Sequence, residues 1–236
     1  MALRSRSVLV AGFLLVAAVC ARLGIWQVHR LRERRAANAV AQAARAAPAV
    51  QVDSFGLDSS LINRRVVVRG TYDHDHDIIL RGRGYGGVPG VEIVSPLLQP
   101  SGMALLVNRG FVPAPDAVTV DRSTLAELGT VTVQGIALPL DSAGGAPLRR
   151  GNETTWARLD RRAIAQWLPY PIEPLYVRQT PDSALPRFPR RLDPPPLDDG
   201  PHLSYAIQWF AFSIIALVFA MIMAVRPWGE HHPAPR

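Results

Sequence analysis

The stretch YAIQWFAFSIIALVFAMIMAV, Tyr205 to Val225, decides the architecture. It carries no charge, and a bilayer core needs about 20 apolar residues as helix. A second such run lies near the other end of the chain. It is VLVAGFLLVAAVCARLGIW, Val8 to Trp26, with one charge inside, Arg22. In lipid, backbone N–H and C=O groups must be satisfied within the segment, which leaves helix as the simple choice for both. The first run reads as a retained helix rather than a cleaved signal. Its apolar length continues past Cys20 to Trp26, and no small-x-small site is followed by a polar start. Val19 stands where a lipoprotein cysteine wants a small residue before it. Cys20 is the only cysteine, so no intramolecular disulfide forms and cysteine count says nothing about compartment.

Between the two runs lie about 175 residues, one domain by length. After Trp26 comes QVHRLRERRAANAVAQAARAA, rich in Ala and Arg and free of Gly and Pro until Pro48. Its propensity is helical, and the first helix is expected to continue to about Ala46. Then come RVVVRGTYD, DIILRGR, GVEIVSPLLQ, MALLVNRGFVP, TVTVQGIALPL and PLYVRQT. These runs are short, rich in Val, Ile and Leu, and separated by Gly, Pro and Asp, the spacing of an antiparallel β-domain. Two short helices are expected between them: STLAEL, capped by Ser123, and DRRAIAQWL, capped by Asp160. The run PDSALPRFPRRLDPPPLDDGP suits neither helix nor central strand and reads as a semi-rigid, extended strap.

The fold expected is a membrane protein with two transmembrane α-helices flanking a mainly antiparallel β (α+β) extramembrane domain. Its parts are a tail at 1–7, a transmembrane helix at 8–28 and a juxtamembrane extension at 29–48. A β-rich domain follows at 49–180, the strap at 181–201, a second transmembrane helix at 202–225 and a tail at 226–236.

Both ends of the middle domain lie on one side of the membrane. GIWQVHR and HLSYAIQWF therefore meet at the same face. On the second helix His202, Tyr205 and Trp209 are spaced i, i+3, i+7 and share a face. On the first, Trp26 and Arg30 are i, i+4. If the helices pair, Trp26, Gln27, His202, Tyr205 and Trp209 form an aromatic and imidazole pocket. Arg30, Arg32, Arg34 and Arg35 rim it. Interfacial anchoring explains Trp, Tyr and Arg at such a mouth. Two Gln and two His at matching depth ask for more, because polar groups near lipid take partners. A planar amphipathic ligand with acidic groups fits, and haem is one.

Other candidates carry less. The net charge is +7, and much of it is arginine beside the membrane, which favours anionic lipid over nucleic acid. No nucleic-acid module signature appears. DHDHD, Asp73 to Asp77, would as a strand place His74 and His76 on one face, half a metal site; the competing reading is a polar hairpin turn. A copper chaperone would show paired Cys or Met, and here there are one cysteine and four methionines. RGRGYGGVPG lacks the strand-to-helix context of a phosphate loop and reads as a mobile loop. Asn108 and Arg109 of VNRGFVP are structural pairs or partner contacts. His231 and His232 fall in a polar tail. The outer domain shows no Ser–His–Asp arrangement, GxSxG elbow or HExxH, so an enzyme is not expected.

The same segments resemble the surfeit-locus (Shy1-type) family of cytochrome c oxidase assembly factors. The likeness runs through LGIWQVHR, RGTYD, ILRGR, GVEIVSPLLQPSGMALLVNRGFVP and WARLDRRAIAQWL, and above all HLSYAIQWFAF. Phe111 departs from the Trp common in the VNRGWVP-like motif, and LDSAGGAPLRRGN matches poorly. The resemblance implies a factor in the bacterial cell membrane, with both termini cytoplasmic and the domain outside. It implies maturation of the haem a centre of oxidase subunit I, with His202 as the candidate haem a ligand. Oxidase subunits, subunit I above all, and haem a synthase would be the partners. Helix geometry then groups Tyr205 and Trp209 as wall, Trp26 and Gln27 facing them, and Arg30 and Arg34 toward the propionates. The competing class is a non-haem scaffold that docks on oxidase subunits or a respiratory supercomplex. Local arginine counts disagree with this topology. Arg4 and Arg6 precede the first helix, whereas Arg30, Arg32, Arg34 and Arg35 follow it. Long domains translocate largely regardless of charge, so the family topology is preferred.

Overall fold

A computed structural model describes residues 2–52, 56–150 and 153–225, with side chains from residue 6 and without that of residue 150. The tail at 226–236, with His231 and His232, lies outside the described residues, as does the end of LDSAGGAPLRRGN. The chain divides into two compact units: 1–39 with 197–236, and 40–196.

The first unit is a helical hairpin. Helix α1, Ala2–Ala46, supplies one arm and α3, His202–Val225, the other. Both contain an apolar stretch long enough to cross a bilayer. Their contacts run in opposite directions along the two helices. Arg6 Nε donates to the Met223 carbonyl at 2.7 Å, Phe13 stacks on Phe219, and Ser213 Oγ donates to the Ala17 carbonyl at 2.9 Å. The seam is built from small residues. Ala17, Cys20 and Gly24 on α1 are buried, as are Ala206, Ser213, Ala216 and Ala220 on α3. Lipid gives no hydrophobic drive for pairing, so close backbone approach and dispersion hold such helices together. At Gly24 a Cβ would sit 2.7 Å from the Phe210 ring, so only glycine fits there undisturbed. The large apolar side chains, Val8, Leu15, Ile207 and Ile214 among them, point outward.

The second unit is the β-domain. Its strands are β1 Val50–Val52, β2 Arg65–Tyr72, β3 Ile78–Tyr85, β4 Val88–Leu98, β5 Ala104–Pro113, β6 Thr130–Pro139, β7 Leu148–Arg150, β8 Glu153–Trp156 and β9 Ile172–Gln179. They form one sheet in the order β1-β2-β6-β9-β5-β4-β3-β8-β7. Strand β4 also pairs with β2, through Thr71 to Leu98 and Tyr72 to Leu97, which closes β2, β6, β9, β5 and β4 into a barrel. Val66, Val68, Leu97, Leu105, Val107, Val133, Ala137, Leu175 and Val177 pack together in its core. Most pairings are antiparallel, but β1–β2, β3–β8 and β5–β9 are parallel. Beyond the barrel, β3, β8 and helix α2, Arg161–Trp167, bury a second cluster around Trp156 and Ile164. Asp160 caps α2, its side chain accepting from the Ala163 N–H at 3.1 Å.

Three local expectations are corrected. STLAEL is not a helix: Ser123 hydrogen-bonds back to Asp121 Oδ1 through both N and Oγ, and the chain continues irregularly to Glu127. An Asx-type bond competes with helix here, and Leu125 is drawn into an apolar cluster with Val91, Ile93 and Val112. RGRGYGGVPG is not an irregular loop but the paired strands and tip of the β3–β4 hairpin. Gly86 and Gly87 have φ of 58° and 79° between paired Tyr85 and Val88, as a two-residue type I′ turn requires. DHDHD is neither a strand nor a hairpin turn. It forms a 3₁₀ turn between β2 and β3, which are not neighbours in the sheet.

Candidate functional site

In the helical hairpin, α1 turns its Gln27 side chain into the seam, where it is buried. His202 begins α3 directly after the strap. Its Nδ1 lies 2.9 Å from Gln27 Oε1. An amide oxygen only accepts, so Nδ1 is the donor in this pair, and in the neutral ring Nε2 keeps its lone pair. The partner is a carbonyl oxygen, the kind of group that orients and polarises a metal-binding imidazole.

His202 shares an open depression of about 330 Å³ with Arg30, Glu33, Arg34, Ala37 and Gly200. Arg30 is paired with Glu33 at 2.7 Å, and both are exposed. Arg34 Nε donates to the Asp198 carbonyl at 3.1 Å, which leaves its terminal nitrogens for an incoming anion. Arg35 and Asn38 both hold the Asp199 carboxylate, at 2.8 and 3.1 Å. The Arg35 hydrogen bond holds that carboxyl below its usual range. Asp198 and Asp199 thus clamp the approach to α3 onto α1. That clamp was not foreseen; its signal was DDG immediately before the second helix.

Of the residues grouped from sequence, the structure brings His202, Gln27, Arg30 and Arg34 together. Trp209 lies two turns along on the half-buried stripe with His202 and packs edge-to-face on Phe212. Tyr205 is exposed, and Trp26 projects away from the seam beside Arg22 and His29. None of these three lines the depression around His202. Arg32 is exposed.

In the β-domain, VNRGFVP resolves into two buried structural pairs. Asn108 Nδ2 donates to Glu92 at 2.6 Å, and Glu92 also pairs with Arg178. Arg109 is fully buried in the barrel. It donates to Ser95 Oγ and to Glu127 at 2.6 Å, and its guanidinium lies 4.9 Å from the centre of the Tyr72 ring. Arg191 of the strap reaches the same Glu127 and bonds Gln179 Oε1 at 3.0 Å. The DHDHD histidines face different acids. His76 Nδ1 pairs with Asp73 at 2.7 Å, His74 Nδ1 with Asp77 at 3.3 Å, and the Glu127 N–H donates to His74 Nε2 at 3.0 Å.

The family model "SURF1 family" matches residues 14–214. A SURF1-like protein of Monosiga brevicollis is 28% identical over 231 residues, covering 91% of this chain and 88% of that protein. A SURF1-like protein of Rickettsia felis is 26% identical over 209 residues, 85% of this chain and 89% of that one. A third, from Rickettsia prowazekii, is 23% identical over 209 residues, with 85% and 83% covered. The chain belongs to the SURF1 family, known as cytochrome oxidase assembly factors.

Proposed function

We propose that this SURF1-family chain serves cytochrome c oxidase assembly by holding haem a at the helix mouth and presenting it to subunit I. The observation that carries the reading is the Gln27–His202 hydrogen bond. It keeps the Nε2 lone pair free for iron while the amide oxygen steadies the ring. Arg34 and Arg30, beside His202, suit a pair of propionates. Trp209 lies two turns along the same stripe, outside the depression itself, where it would meet only the apolar edge of the ligand. Tyr205 and Trp26 act from the periphery as interfacial anchors. The depression is open, as suits a cargo that must be handed on rather than sealed in.

In this reading the haem is cargo, and no residue of the chain acts as an enzyme's acid, base or nucleophile. The protein sits in the bacterial cell membrane with both termini cytoplasmic and the β-domain outside. Haem a synthase is the natural donor and subunit I the acceptor.

The test is a visible spectrum and haem extraction of the detergent-purified full chain from cells that make haem a. Wild type should carry haem a, and His202→Ala should lose it while still inserting into the membrane. Gln27→Leu should retain the ligand but weaken retention by about tenfold or more, the usual effect of removing a group that orients a metal-bound histidine. Equal haem in wild type and His202→Ala would sink the assignment. No haem in any variant, with co-purifying oxidase subunits, would make the mouth a docking surface.

A further inference from the structure

Two arginines bracket most of the apolar run of α1, and the molecule treats them differently. Arg6 is used internally, donating to the Met223 and Ala224 carbonyls at the end of α3. Arg22 is the one charge between Val8 and Trp26, and it has no hydrogen bond or ion pair with any described residue. It is exposed and points away from the Cys20, Gly24 and Gln27 seam. Ile25, Trp26 and His29 are exposed on the same side, and with Leu23 they and Arg22 line one open depression on α1.

The spacing sets the ligand. Arg22, Trp26 and His29 are i, i+4 and i+7, a strip about 10 Å long on one helix face. Trp26 marks the headgroup level, and Arg22 starts one turn deeper. An unpaired guanidinium at that depth must extend toward polar oxygen, and its aliphatic stem can lie along the ring to do so. Among the described residues no carboxylate meets it: α3 has none between Tyr205 and Val225, and Glu33 is engaged by Arg30. The missing partner is therefore an anion that arrives with its own apolar body.

We propose that Arg22, Trp26 and His29 form a binding site for the headgroup of an anionic phospholipid. Its phosphate accepts from the Arg22 guanidinium and a His29 ring N–H, and an acyl chain runs down past Ile25. A headgroup of net negative charge is preferred over a zwitterionic one, whose cationic end would be brought toward Arg22. The site is on the face of α1 opposite α3 and does not depend on haem binding at His202.

The test uses the full chain in uncharged detergent. Phosphatidylglycerol and phosphatidylcholine with identical acyl chains are titrated, and retained lipid is counted by native mass spectrometry. Wild type should retain phosphatidylglycerol at roughly tenfold lower concentration than phosphatidylcholine, the scale of one charge-assisted contact. Arg22→Gln should erase that preference, and Arg22→Lys should keep part of it. Arg32→Gln, an exposed arginine outside the depression, should leave it intact. Unchanged preference in Arg22→Gln overturns the proposal, and so does equal loss in Arg22→Gln and Arg32→Gln, the mark of general surface attraction. Loss of oxidase-subunit capture in Arg22→Gln with lipid retention unchanged also overturns it, by making the occupant an acidic helix.

Discussion

Arg109 is the most costly side chain in the β-domain to place. It is a permanent cation with no exposure, inside a barrel lined with valine and leucine. Such a charge is tolerable only when paired and hydrogen-bonded. Glu127, Ser95, the Leu125 carbonyl and the Tyr72 ring supply that environment. Arg109→Met strips the pairing from Glu127 and should cost about 3–5 kcal/mol, the penalty for breaking a buried pair. A large fall in the thermal midpoint of the detergent-purified chain would show it; an unchanged midpoint would mean that Arg191 satisfies Glu127 alone.

Glu127 also gives the domain an acid limb. Burial pushes its carboxyl up, but the hydrogen bond and charge of Arg109, joined by Arg191, outweigh this and hold it below the ordinary value. A folded-state value below the unfolded one stabilises the fold fully above the unfolded value, about 4.3 for glutamate. That stabilisation is lost as pH falls through the folded value. Burial acts the other way on Asp77, whose carboxyl is raised, so its contribution is present in acid and declines as pH rises. Glu127→Gln should lower stability at neutral pH and flatten its loss below about pH 5, read from melting curves across pH. A parallel fall in wild type and variant would remove Glu127 from the account.

At the level of elements, two close approaches matter. Gly24 lets α1 meet Phe210 of α3. Gly24→Leu should push the helices apart. Phe13 and Phe219, with ring centres 5.6 Å apart, give a reporter. In a Cys20→Ser background, the pair Phe13→Cys and Phe219→Cys should cross-link readily, and Gly24→Leu should cut the yield severalfold. Undiminished cross-linking would mean the seam tolerates the side chain by rotating Phe210. The second approach is Gly110, where φ is 119° and a Cβ would strike the Arg190 backbone. That backbone bridges Phe111 in both directions, at 2.8 and 2.7 Å, and tacks the Pro-rich strap to β5. Gly110→Ala should free the strap, with tryptic cleavage after Arg187 and Arg190 accelerated severalfold.

For the whole molecule, the antiparallel hairpin brings the start of α1 and the end of α3 to one end of the helix pair, as the Arg6 bond to the Met223 carbonyl shows. Which side of the bilayer that end faces is a matter of topology, where the arginines after α1 argue against the family arrangement. Fluorescent-protein fusions at both ends should be bright if the ends are cytoplasmic. A periplasmic reporter inserted at the Gly86–Gly87 turn should then be active. The reverse pattern would mean that Arg30 to Arg35 act as a cytoplasmic retention signal, and haem delivery from the outer face would have to be abandoned.

What the sequence determined alone was whatever depends on local composition and period. Two long apolar runs, one uncharged and one broken only by Arg22, specify helices that suit lipid, because no other backbone arrangement satisfies itself there. Alternating Val and Ile between glycines and prolines marked β2 to β6 and β9, and Asp160 marked the start of α2. The grouping of His202 with Gln27, Arg30 and Arg34 was legible because a hairpin brings the two mouths to one depth. Tertiary structure decided what depends on partners distant in the chain. Closure of β2 on β4 and the parallel β5–β9 pair join segments far apart in sequence, and no local pattern encodes a barrel's register. Trp26 turned from the pocket because rotation of α1 is set by its small-residue seam; the exposed position then belonged to Trp26, Arg22 and His29. Asn108 and Arg109, adjacent in VNRGFVP, point to opposite faces of β5 and so serve two separate buried networks. Ser123 failed to start a helix because Asp121 took its hydrogen bonds and the apolar cluster of Val91, Ile93 and Val112 took Leu125, a competition settled only once that cluster existed to bury it.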